Sequence, residues 1–206
     1  RQLAARAEVI GICRVGREDL VSNFRHHASA RRALPPRAGR AEAGYGSHAR
    51  REVSAGVSGG SEATRYSASL GYTATDGIDV QDGGNADDDG YERASVSASL
   101  EQELWAGAEV GLDFLRAEGV TEYDNPFDPA EVEHEDEIVQ QSIAANLKQS
   151  VGDFWDTRVR LGESRDESEI LKDGDRTDLY KTRRLEASWT NNLYIAGSQE
   201  LILGVD

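Results

Sequence analysis

Tyr66-Ser67-Ala68-Ser69-Leu70-Gly71-Tyr72-Thr73 is the stretch on which the fold turns. Tyr66, Ala68, Leu70 and Tyr72 fall on one face, and Ser67, Ser69, Gly71 and Thr73 on the other. That is a period of two, which a strand keeps and a helix does not. Upstream, Glu52-Val53-Ser54-Ala55-Gly56-Val57-Ser58 alternates in the same way, and Gly59-Gly60-Ser61-Glu62 supplies a tight-turn signal. Strand-like texture begins at Ala41 and is clear in Ala43-Gly44-Tyr45-Gly46-Ser47. Downstream, Val96, Ala98 and Leu100 alternate with Ser95, Ser97 and Ser99; after a turn near 104–107, Val110, Leu112 and Phe114 alternate with Gly111, Asp113 and Leu115. Ile143, Ala145 and Leu147 mark a further strand, although residues 137–149 also fit a helix. A turn at Gly152-Asp153 leads to Val159 and Leu161, then come Leu185, Ala187 and Trp189, and after a turn near 196–198, Leu201, Leu203 and Val205. About nine strands run from residue 41 to 206.

Composition narrows what such a chain can be. Only 38% of the 206 residues are hydrophobic, 30% are charged, and the formal charge is −15. Low apolar content with high charge suits disorder, but the sustained alternation argues for strands. No apolar run approaches the ~20 residues of a spanning helix, whereas a membrane barrel needs apolar residues only at every second position. Cys13 is the single cysteine, so no internal disulfide forms. The absence of Met and of an apolar leader core reads as an internal fragment.

Charge divides the chain in two. Residues 1–40 carry nine Arg against Glu8, Glu18 and Asp19, a formal +6, while residues 41–206 carry 14 basic and 35 acidic residues, a formal −21. An acidic body repels phosphate backbones and attracts cations, so nucleic acid is not an expected partner. Residues 1–39 keep neither period and read as an atypical basic segment, without a fold of its own or translated out of frame. His26-His27 has no third ligand nearby. The second unit, 40–206, is the β-region.

The strands are long, and the connections alternate between short turns and long acidic loops at 78–91, 118–136 and 167–177. A soluble β-sandwich has shorter strands and no such regularity. The pattern predicts an all-β fold of antiparallel up-and-down strands, about 8–9 of them, forming part of a larger transmembrane β-barrel. An open sheet edge in lipid would leave N–H and C=O groups unsatisfied, so either this piece is not the working unit or, the favoured reading, it belongs to a larger barrel. Tyr66, Tyr72, Tyr91, Trp105, Tyr123, Trp155, Tyr180, Trp189 and Tyr194 fall near strand ends, as interfacial girdles do.

The acidic loops carry the chemistry. Asp79, Asp82, Asn85, Asp87, Asp88 and Asp89, interleaved with Gly83, Gly84 and Gly90, can supply the oxygens that Ca²⁺ requires. Asn85-Ala86-Asp87-Asp88-Asp89-Gly90 resembles the start of an EF-hand loop, but the twelfth position is Val96 and the flanks are strands, which rejects that motif. The second loop holds Tyr123, Asp124, Asn125, Asp128, Glu131, Glu133, Glu135 and Asp136. A hairpin between the strands flanking 104–107 would bring the two loops side by side. No nucleophile elbow, phosphate loop or zinc spacing is present, so an enzyme is not expected. His48 and His134 read as isolated surface histidines.

Ala43-Gly44-Tyr45-Gly46-Ser47-His48, the tract from Tyr72 to Val80, Asp87-Asp88-Asp89-Gly90-Tyr91 and Trp189-Thr190-Asn191-Asn192-Leu193 resemble the early barrel of TonB-dependent vitamin B12 (cobalamin) receptors of Gram-negative outer membranes. The likeness covers about residues 40–206 and takes in neither plug nor coupling box. It implies a plugged barrel of about 22 strands, active transport of a corrinoid energised by a TonB-type coupling protein, and contact with outer-membrane lipid. It also implies extracellular loops ordered by calcium. Carried over by position, the metal ligands are Asp79, Asn85, Asp87, Asp89, Tyr123 through its main-chain oxygen, and Asp124. A ferric siderophore receptor of the same architecture and a secreted acidic calcium-binding β-module are the alternatives.

Overall fold

The computed structural model describes residues 37–79, 88–129, 132–195 and 199–206. They form nine strands: β1 (Ala38–Tyr45), β2 (Arg51–Gly60), β3 (Thr64–Ile78), β4 (Asp89–Trp105), β5 (Ala108–Glu122), β6 (His134–Val151), β7 (Trp155–Lys172), β8 (Asp175–Ile195) and β9 (Gln199–Val205). Each pairs antiparallel with the next, in chain order, in one up-and-down sheet. Two expectations change and one alternative closes. The β-region begins at Ala38 and not at 40, because Ala38 and Gly39 already pair with Ser58 and Val57. Residues 137–149 are strand, held on both sides by β5 and β7. The third acidic loop does not exist: residues 167–172 and 175–181 are paired strand, joined by Asp173-Gly174 alone.

That turn has a local cause. Asp173 and Gly174 have φ of 52° and 76°, the paired positive values of a two-residue hairpin turn whose twist matches the strands, and Asp-Gly is a preferred sequence for it.

The register separates two faces. Val53, Leu70, Ala98, Leu112, Ile143, Leu161 and Leu203 belong to a continuous apolar face. The other face is polar. Ser69 and Ser97 share a hydrogen bond of 2.7 Å, Arg65 binds Glu101 and Glu109, and Asp113 accepts from Ser99 and Asn146. Among the described residues only Ala108, Ala117 and Ala144 are buried hydrophobics. Leu70 is 60% exposed and Leu161 56%. Among the described residues the sheet is one layer, and nothing covers its apolar face.

The apolar residues form a band that runs obliquely to the hydrogen-bond rows. Register pairs lead from Ala55 through Leu70, Val96, Arg116, Gln141 and Arg165 to Arg183. Ala55 is mid-band on β2, but on β8 the apolar-face residues run from Leu185 to Ile195, centred seven residues past Arg183. Seven residues over the six steps from β2 to β8 is ~1.2 residues per strand. At ~3.3 Å per residue and ~4.8 Å between strands, the strands cross the band at roughly 38°.

The aromatic expectation holds in part. Tyr66, Tyr72, Trp155 and Trp189 share the apolar face by register, whereas Tyr91, Tyr180 and Tyr194 have the opposite parity and lie on the polar face. Alternation decides this, since one residue of offset reverses the face. Trp105 and Trp155, toward the short-turn rim, donate their indole N–H to Gln149 and Asn191 at 3.1 Å each.

Candidate functional site

The described parts of the connections that precede even-numbered strands lie at one end of the sheet, which holds Asp79, Asp88, residues 123–129 and 132–133, and the Asp173-Gly174 turn. The β3–β4 hairpin sets Asp79 and Asp89 close together. Ile78 pairs with Asp89 after a bulge that begins at Thr75. Gly77 makes the bulge possible: its φ is +80°, and a Cβ there would stand 1.7 Å from the Asp89 carbonyl oxygen. Only glycine fits such a position. Asn85 and Asp87 lie outside the described residues.

The β4–β5 hairpin brings the second loop to the same end, as expected. The Gly90 amide donates to Glu122 Oε2 at 2.8 Å, tying the start of β4 to the end of β5 just before Tyr123 and Asp124. Asp124 Oδ2 is buried and accepts no hydrogen bond from the described residues. A buried carboxylate oxygen without a partner is costly unless a cation or donor reaches it. Among the described residues, no three His, Cys, Asp or Glu side chains converge as a metal-binding group.

A second cluster was not anticipated. His134 is buried at 7% exposure, so it is not a surface histidine. The Tyr123 ring stacks on it with centroids 5.4 Å apart, and the Tyr123 amide donates to the His134 carbonyl at 3.1 Å. His134 Nε2 is 3.1 Å from Asp128 Oδ2, within ion-pair distance but off the line of a hydrogen bond. The other oxygen, Asp128 Oδ1, accepts from Lys172 Nζ at 2.7 Å, and Asn125 Nδ2 donates to Oδ2 at 3.0 Å. The Lys172 hydrogen bond, helped by its charge and by His134, holds the Asp128 carboxyl below the ordinary aspartate range. Asp173 extends the link: its Oδ1 accepts from the Glu133 amide at 3.1 Å and its amide donates to the Glu133 carbonyl at 2.9 Å.

The described part of this loop is therefore strapped across the mouth of β6 onto the β7–β8 turn. Its polar residues divide between two tasks. Asn125, Asp128 and His134 fix the loop. Asp124 has an oxygen without a hydrogen-bond partner among the described residues. Reading each histidine by its sequence neighbours missed His134, because its partners Asp128 and Lys172 lie six and 38 residues away. The one local sign was Asp173-Gly174, which marks a tight hairpin and so places Lys172 beside His134.

No model of a known protein family matches the chain, and no curated protein does.

Proposed function

We propose that the chain is part of an outer-membrane β-barrel of the TonB-dependent type, an active transporter for cobalamin whose extracellular loops are ordered by calcium. The observation that carries the membrane reading is the uncovered apolar band. A one-layer sheet with Leu70 60% and Leu161 56% exposed needs an apolar partner on that face. Lipid supplies one, and the roughly 38° crossing agrees with the ~35–45° tilt of membrane barrel strands. Trp105 and Trp155, with polar partners for their N–H groups, suit the short-turn interface. The polar face, with its serines and ion pairs, would then line the lumen, and the long loops would face outward.

The ligand rests on the resemblance of Ala43–His48, the Tyr72–Val80 tract, Asp87–Tyr91 and Trp189–Leu193 to cobalamin receptors. Calcium is supported by the donor chemistry: carboxylates and a main-chain carbonyl suit a hard cation. Asp79 and Asp89 are neighbours across the hairpin, and the orphaned Asp124 Oδ2 is the kind of atom that coordination satisfies. Bound there, Ca²⁺ would offset the mutual repulsion of the carboxylates and fix the loops around a ligand. Asn85 and Asp87 complete the proposed set.

Equilibrium titration of the full-length protein with cyanocobalamin, in calcium and in chelator, tests the reading. Tight binding that weakens on chelation, and weakens equally in Asp89→Ala plus Asp124→Ala with calcium present, is expected. Binding of a ferric siderophore and not of cobalamin would move the assignment to the siderophore class. Calcium titration unchanged in the double variant would remove the metal from the reading.

A further inference from the structure

One register row on the apolar face breaks its character. Arg116, Gln141, Arg165 and Arg183 stand side by side across β5 to β8, next to the band on its long-loop side. Arg165 and Arg183 are directly opposite one another, which like charges ordinarily avoid. Glu163 offsets part of the repulsion. One of its oxygens meets Arg165 Nε, and the other accepts from Arg183 Nη2 at 2.7 Å. Arg116 donates to Gln141 Oε1 at 3.0 Å and also reaches Glu118. Each guanidinium has five N–H donors, so Arg165 and Arg183 keep most of theirs for another acceptor, and Arg116, held at all three nitrogens, keeps about two. The three side chains are 43%, 58% and 60% exposed. The neighbouring rows hold Glu118, Glu163, Glu167 and Lys181, with Lys181 and Glu167 paired at 2.6 Å. The row itself contains no acid, in a chain of formal charge −15.

Height on the sheet says what this row would meet. With strands tilted by roughly 38°, one residue raises a side chain by ~2.6 Å along the band normal. Arg116, Arg165 and Arg183 then root about 9, 15 and 18 Å from the middle of the band. A hydrocarbon layer ~25 Å tall ends about 12 Å from its middle. Arg165 and Arg183 therefore stand at headgroup level, and Arg116 reaches it by extending its stem along the apolar surface. Guanidinium forks match phosphate oxygens in geometry and charge.

We infer that the Arg116–Arg165–Arg183 row binds the phosphate of anionic lipid headgroups in the loop-side leaflet. The inference rests on the membrane reading above and adds a lipid preference to it. Arg93, Arg158 and Arg160 lie on the opposite face, where Arg160 donates to Asn146, and have no access to lipid.

The test uses the full-length protein in mixed micelles of phosphatidic acid and phosphatidylcholine, with retained lipid read by native mass spectrometry. The wild type is expected to retain phosphatidic acid preferentially. The triple variant Arg116→Gln, Arg165→Gln, Arg183→Gln should lose about 100-fold of that preference, since each surface cation near anionic lipid contributes roughly fivefold. Arg93→Gln plus Arg158→Gln should leave it unchanged. Should the triple variant misfold, Arg183→Gln alone serves, with about a fivefold loss expected. Retention unchanged in these variants overturns the inference, as does displacement of the lipid by millimolar inorganic phosphate, which would mark a free-anion site. Vesicle flotation separates the two levels. A protein that floats with phosphatidylcholine vesicles but shows no anionic preference loses only this inference. A protein that does not enter vesicles overturns the membrane reading and this inference together.

Discussion

Leu70→Arg offers a direct test of what covers the apolar face. Leu70 is near the middle of the band on β3, paired with Ala55 and Val96, and 60% exposed on the sheet itself. If that face met water, the exchange would fall within about ±0.5 kcal/mol, as surface substitutions do. If it meets hydrocarbon, arginine near the midplane costs about 2–4 kcal/mol. That corresponds to roughly a 30- to 700-fold change in the folded-to-unfolded ratio. Ser67→Arg is the control, three residues away on the polar face and likewise exposed. Urea unfolding of the full-length protein in phosphatidylcholine vesicles, followed by tryptophan fluorescence, measures both. The expected result is a large loss for Leu70→Arg and a change below about 1 kcal/mol for Ser67→Arg. Equal costs at the two positions would refute the lipid-facing assignment. A large cost for Leu70→Arg in a protein that stays soluble without lipid would point to a second covering sheet.

Three further outcomes follow from the loop end. Gly77→Ala should cost more than Gly174→Ala, although both have positive φ. The first places a Cβ 1.7 Å from Asp89 O, whereas the second meets nothing within 4 Å and carries only the ~1–2 kcal/mol left-handed penalty. Thermal unfolding separates them, and, on the proposed calcium reading, Gly77→Ala should also weaken calcium binding because it displaces Asp89. The Asp128 strap should be acid-sensitive. Its carboxyl titrates lower in the fold than in the unfolded chain, so its contribution is complete above the ordinary aspartate value of about 3.9 and is lost as pH falls through the folded one. Lys172→Met removes the largest cause of that shift. Proteolysis of the 123–133 loop should then set in at higher pH than in the wild type, and identical pH profiles would argue against the strap. His134→Ala removes the Tyr123 stack and should lower local stability by about 1 kcal/mol, read as faster hydrogen exchange at the Tyr123 amide, which bonds the His134 carbonyl.

Strand identity was legible wherever alternation was clean, as in Tyr66–Thr73 or Ser95–Leu100, because side chains on a strand reverse face at every residue. It failed where charged residues occupied both faces. Residues 167–177 read as a loop because Glu, Asp, Arg and Lys sit at most positions. There the backbone pairing with β6 and the Asp-Gly turn override composition. The helix alternative at 137–149 failed for a related reason: a 3.6-residue period can be drawn through a polar segment, but long hydrogen-bonding edges on both sides settle it as strand. The aromatics were placed near strand ends by position alone, and parity then sent Tyr91, Tyr180 and Tyr194 to the polar side.

By itself the sequence determined the all-β class, the up-and-down order of about nine strands, the division into an apolar and a polar face, and the acidic end that gathers Asp79, Asp89, Tyr123 and Asp124. These are local properties, set by period two, by turn residues and by charge density. Only the tertiary structure decided the oblique course of the band, the burial of His134 under Tyr123, the anchoring of Asp128 on Lys172 and the alignment of Arg116, Arg165 and Arg183. Those depend on register between strands. Register is a sum over many weak cross-strand pairs, and a one-residue shift between β6 and β7 would break the arginine row and part His134 from Lys172.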